Sequence, residues 1–124
     1  MYRKNLHLII STLIVASIAI VYGFQPNMVF NVSINSIDEA NIFKAVMGLY
    51  LAFSLLWVLG IFQISLWKAA TVSNIIFMLG LAFGRIISIL LDGIPTTVFV
   101  VGTFGELVIG MFAYYQLKRQ SNFN

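Results

Sequence analysis

The chain has 124 residues, 60% of them hydrophobic and 9% charged, with a mean hydropathy of +0.98. Soluble domains run near about 25% charged, so a water-soluble globule is excluded, and the length suits one domain. The net charge of +3 comes from cations at segment ends rather than from a basic patch, which excludes nucleic acid as a partner, and the absence of cysteine excludes disulfides, thiolate catalysis and thiolate metal sites.

A span needs about 20 mostly apolar residues to cross a hydrocarbon core of about 30 Å. Four such segments, at about 6–24, 40–62, 69–91 and 96–117, fill nearly all of a single transmembrane domain, 1–124. The predicted fold class is therefore all-α, an integral membrane four-helix bundle.

Met1–Asn5 is a basic start, followed by the first apolar stretch, Leu6–Phe24. A secretory signal peptide begins in the same way, but this core is long and lacks a clear Ala-x-Ala site, so a retained span is expected. His7, at the basic end, is expected to face solvent or lipid headgroups. Pro26 stops the first helix and opens the one long loop, Gln25–Asp38. There Met28, Phe30, Val32 and Ile34 alternate with mainly polar residues, which predicts a loop lying on the membrane surface or capping the bundle. Ser36-Ile37-Asp38-Glu39 forms a capping box, with acids at the positive end of the helix dipole. The second helix is predicted from about Ile37 to Phe62. Lys44, in its second turn, either snorkels to the surface or points inward.

Gln63–Lys68 is expected to be a tight connection carrying Trp67 and Lys68 as interfacial anchors. The third helix runs from about Ala69 to Leu91, and Asp92-Gly93 with Pro95 turns the chain. The fourth runs from about Thr96 to Leu117, with Tyr114 and Tyr115 as an aromatic anchor before Lys118 and Arg119. Arg3, Lys4, Lys68, Lys118 and Arg119 then share one side, while Asp38, Glu39 and Asp92 occupy the other, with Lys44 as its only nearby cation. The positive-inside rule puts both termini in the cytoplasm, in a multi-pass protein of the cell's inner membrane.

Two charges fall within the spans. Arg85 lies seven residues before Asp92, about 10 Å below the outer end, and Glu106 eleven residues after Pro95, about 16 Å down. Helical side chains lean toward their own N-terminus, which sends Arg85 deeper and lifts Glu106 toward it. Left apart, each charge would cost about 2.5–3.5 kcal/mol at the centre of a span, so the two are predicted to pair. Gly80, Gly84 and Ser88 on the third helix, and Gly102, Glu106 and Gly110 on the fourth, recur every four residues. Small residues in such stripes let helix backbones approach closely in a membrane. Asp92 follows Arg85 by one heptad and Lys44 enters at a similar depth. Lys44, Arg85, Asp92 and Glu106 are thus expected to line an outward-opening funnel, with hydroxyls from Ser88 and Thr103 and a second-helix wall that includes Gly48 and Tyr50.

FKAVMGLYL (Phe43–Leu51), GLAFGRIISILLDGIP (Gly80–Pro95) and GELVIG (Gly105–Gly110) together resemble an uncharacterised bacterial family of small four-span membrane proteins. It is known as domain of unknown function 4345 and is broadly similar to DoxX-like proteins. The resemblance covers nearly the whole chain, and the Gly-Arg…Ser…Asp-Gly…Glu run is its most specific part. In the family's pattern the position of Lys44 more often holds arginine; lysine keeps the charge and loses the planar fork. The resemblance implies a four-helix membrane bundle and brings no activity to carry over.

Three functions remain open on the sequence. The Arg85–Glu106 pair either fixes helix packing, or forms a site that binds or moves a small anionic or amphiphilic, lipid-like ligand, or serves acid–base chemistry through Glu106 or Asp92. The enzyme is the least supported: there is no nucleophile–base pair, Gly-rich phosphate loop or metal-spaced histidine cluster, and no cofactor is expected. Membrane lipid is the expected partner, and the Gly-xxx-Gly faces leave a homodimer open.

Overall fold

The computed structural model describes residues 2–121 as four helices, α1 (Tyr2–Phe24), α2 (Ile37–Phe62), α3 (Ile64–Asp92) and α4 (Thr97–Ser121). Each is long and apolar enough to cross a membrane. They pack in chain order, α1 on α2, α2 on α3 and α3 on α4, and a thinner seam between α4 and α1 closes the bundle. Short connections give successive helices opposite directions, so α1 and α3 run parallel across the bundle and touch there.

The helix ends follow from local chemistry. After α1 the chain makes a single 3-10 turn, Pro26–Met28, whose first residue lacks an N–H to continue the helix. At the start of α2 the Glu39 backbone N–H donates to Ser36 Oγ at 3.1 Å, and the Glu39 carboxylate accepts from Ser36 Oγ at 3.2 Å and from the Asn35 N–H at 3.3 Å. The capping box is thus present, with the return bond shifted one residue upstream. Between α2 and α3 the connection is the single extended residue Gln63, rather than the six residues expected. Its N–H donates to Leu59 O at 2.8 Å, ending α2, while its carbonyl accepts from the Leu66 N–H at 3.0 Å, starting α3. One residue serves both ends, so Trp67 and Lys68 lie inside α3. After Asp92 the backbone of Gly93 has φ 105° and ψ 180°, a region that only glycine enters without strain.

Along the spans several polar side chains are buried while large apolar ones face outward, as suits lipid surroundings. Leu13, Phe83, Leu90, Phe104 and Val108 are exposed, whereas His7, Ser11, Thr71 and Asn74 are buried among Leu8, Trp57, Ala70 and Met78. Trp57, at the centre, donates from Nε1 to Ser73 Oγ at 3.1 Å. His7 is not at the headgroups. It is 1% exposed, its Nε2 shares a 2.9 Å hydrogen bond with Thr71 Oγ1, and its ring packs edge-on to Trp67 and flat on Phe112. The Thr71 partner inside the bundle outweighs the pull of water at the nearby surface.

Candidate functional site

α3 and α4 bring Arg85 and Glu106 together. Arg85 Nε donates to both carboxylate oxygens of Glu106, at 2.8 Å and 3.2 Å, with the side chains 24% and 13% exposed. The carboxylate therefore occupies one edge of the guanidinium. Neither terminal nitrogen bonds to Glu106. The guanidinium carbon lies 5.5 Å over the Phe99 ring, a cation–π distance, and Tyr22 stands against the same group.

The loop contributes directly to this site. Phe30 is buried and stacks between Tyr22 of α1, at 4.9 Å between centroids, and Phe99 of α4, at 5.0 Å. The alternation in Gln25–Asp38 thus marks a plug that caps the bundle beside Arg85. Tyr50 of α2 meets Tyr22 edge-on at 5.8 Å and completes an aromatic surround.

Two cavities meet at this point. The larger, about 730 Å³, is a groove between α2 and α3, with Ile42, Val46 and Leu49 on one wall and Ile76, Gly80 and Gly84 on the other. Ile42, Leu49, Ile76, Gly80 and Gly84 are all exposed, so the groove opens sideways from the bundle. The smaller, about 300 Å³, lies on the thin α1–α4 side, between Ile14, Val15 and Ile18 and the Gly102, Gly105 and Glu106 face. Arg85, Tyr22, Tyr50, Leu81 and Phe99 line both and form the partition between them.

Of the residues singled out in the sequence, Arg85, Glu106, Tyr50, Ser88 and Thr103 line these cavities. Thr103 Oγ1 donates back to Phe99 O at 2.9 Å, and Ser88 Oγ donates to Asp92 Oδ2 at 3.0 Å. Lys44, Gly48 and Asp92 line neither. Lys44 is exposed and places its Nζ 5.5 Å over the Phe24 ring, at the end of α1. Gly48 faces open surface, and Asp92 is an exposed acceptor at the end of α3.

The glycine stripes also differ from expectation. A Cβ at Gly80, Gly84 or Gly102 would meet nothing within 4 Å, whereas one at Gly110 would come within 2.6 Å of Leu79 Cδ2. Close α3–α4 approach thus rests on Gly110, and Gly80 and Gly84 instead hollow the wall of the groove. Tyr22, Phe30 and Phe99 were not singled out in the sequence. The alternating loop carried a signal for Phe30, but nothing local indicates that it will stack on a ring 69 positions away.

Among the described residues no group of His, Cys, Asp or Glu is arranged to hold a metal. Fold and site define a bundle of four helices with the length and apolarity of membrane spans, joined between α3 and α4 by a part-buried ion pair. Its sequence profile places it further: residues 4–117 match the family described as domain of unknown function (DUF4345), and the chain belongs to that family. Comparison with curated proteins and with solved structures gives no match.

Proposed function

We propose that this protein binds an anionic, single-chained amphiphile taken sideways from the bilayer, its head on Arg85 and its tail in the groove between α2 and α3. The observation that carries the proposal is the way Arg85 is engaged. Glu106 occupies Nε, and the terminal nitrogens of a side chain lining both cavities are left clear of the carboxylate, with the Tyr22 hydroxyl beside the guanidinium. A planar guanidinium whose NH₂ groups are not taken by the internal carboxylate suits a carboxylate or phosphate held by two parallel bonds. The groove walls are apolar, and lipid tails are as apolar as they are, so the tail adds little net attraction. Selectivity then resides in the head. Membrane lipid is both the surroundings and the source of the ligand. Location in the inner membrane with both termini cytoplasmic belongs to the same proposal and is supported by the segregation of Arg3, Lys4, Lys68, Lys118 and Arg119 from Asp38, Glu39 and Asp92.

The test compares oleate with its uncharged methyl ester, on the purified protein in nanodiscs. A hydrogen bond to a charged group contributes about 1.5–3 kcal/mol, so oleate is expected to bind about tenfold to a hundredfold more tightly. Arg85→Gln should abolish that preference. Equal binding of acid and ester by the wild type would overturn the proposal. A second function, in which the pair only fixes helix packing, is favoured by one observation: both Glu106 oxygens rest on the Arg85 Nε–H, joining α3 to α4 with no third component. In that case the ion pair affects unfolding and oleate shows no preference over the ester.

A further inference from the structure

We infer that internal water occupies a second polar site, between α1 and α3 in the half of the bundle away from the ion pair. The site starts at the His7–Thr71 hydrogen bond. One turn further along these two parallel helices come Ser11, four residues after His7, and Asn74, three after Thr71. Ser11, Thr71 and Asn74 are 0% exposed and His7 1%. Among the described residues, five polar atoms of this group have no protein partner: His7 Nδ1, Ser11 Oγ, Trp67 Nε1 and both Nδ2 and Oδ1 of Asn74.

A buried polar group without a partner costs about 1–3 kcal/mol, and lipid supplies neither donors nor acceptors to offset it. The chemistry of the five atoms selects their occupant. Asn74 Nδ2 and Trp67 Nε1 donate only, Asn74 Oδ1 accepts only, and the Ser11 hydroxyl does both. A cation would leave the two N–H donors facing positive charge, and an anion would leave the Asn74 carbonyl facing negative charge. A neutral molecule that donates and accepts at once satisfies all of them. All four residues are essentially unexposed, and neither cavity described above includes Ser11 or Asn74, which suits an occupant as small as water. Buried waters typically make about three hydrogen bonds each. One between Ser11 and Asn74, and one at His7 Nδ1 and Trp67 Nε1, account for the set.

The surroundings fit a site filled from one end. Toward the chain termini, Lys4 places its Nζ 5.3 Å over the Trp67 ring, and Gln116 Nε2 donates to Arg3 O at 2.7 Å. These polar groups lead to the surface. In the other direction the next turns present Val15 and Met78, 3% and 1% exposed. Both also line the 300 Å³ cavity beyond, so one apolar layer separates the water from the chamber containing Glu106.

Water-edited solid-state NMR on labelled wild-type protein in lipid bilayers tests this directly. Magnetisation from water should reach Asn74 Nδ2 and the His7 ring several-fold faster than it reaches Trp57 Nε1, which is equally buried but bonded to Ser73. Transfer to Asn74 no faster than to Trp57 would overturn the inference, and would mean that Ser11 and Asn74 close directly on each other. Asn74→Leu provides the second arm: transfer to the Ser11 side chain should slow toward the Trp57 rate, while the His7 ring, on the water nearer the chain termini, stays as wet as in the wild type. A Ser11 signal that stays equally wet with leucine at 74 would refute the site between Ser11 and Asn74.

Discussion

Replacing Gly80 and Gly84 together by leucine should block the α2–α3 groove without disturbing the bundle. Both glycines line the groove, and a Cβ at either meets nothing within 4 Å. The new side chains enter open space bordered by lipid, where an apolar group incurs no desolvation cost. Glycine inside a helix costs about 0.5–1 kcal/mol relative to a good helix former, so the double variant should be about 1–2 kcal/mol more stable than wild type. Its ligand behaviour should move the opposite way. With the tail's path filled, the head no longer reaches Arg85, and the head supplies nearly all the selectivity. Oleate affinity should therefore fall by the full charged hydrogen-bond contribution of about 1.5–3 kcal/mol, tenfold to a hundredfold. Unfolding by sodium dodecyl sulfate in mixed micelles reads the first quantity and oleate titration in nanodiscs the second. A destabilised double variant would show that the glycines are packing contacts. A stable one that binds oleate like wild type would show that no tail passes between α2 and α3.

Other substitutions test the frame around the site. Arg85→Gln alone strands the Glu106 carboxylate, a cost on the order of 2.5 kcal/mol on insertion scales, whereas Arg85→Gln with Glu106→Gln should recover most of it; a double-mutant cycle in the same unfolding assay measures the difference. Gly110→Ala places a Cβ 2.6 Å from Leu79 Cδ2 and 2.9 Å from its Cγ, so overpacking should cost about 1–3 kcal/mol, in contrast to Gly80→Ala. Ser36→Ala removes the cap of α2 and should lower stability by about 1 kcal/mol while leaving any oleate preference unchanged, because Ser36 lines neither cavity.

The Arg85–Glu106 pair was legible because the turn at Asp92–Pro95 makes depths on α3 and α4 countable, and the fixed lean of helical side chains supplies the rest. The four helices were legible from apolar length alone. Other features needed the third dimension. Four-residue spacing indicates that Gly80 and Gly84 share a face, but not whether that face meets a helix or open space. His7 was misplaced because its partner, Thr71, is 64 residues away, and a single histidine near a basic end carries no trace of it. Lys44 had two destinations that differ only in rotamer, and Phe24 decided between them. Gln63 was hidden because a one-residue corner has no composition of its own.

That corner also governs how the groove between α2 and α3 can move. Gln63 holds a bond to each helix and leaves no slack, so any splay of the two helices would pivot at one residue. Arg85 lies 21 residues beyond Ile64, about 31 Å from the pivot at 1.5 Å per residue. A splay of about 5° there parts the helices by about 2.7 Å beside the guanidinium and by almost nothing near Trp67. Such a splay would open the groove most beside Arg85, with Asn74, ten residues beyond Ile64, about halfway along.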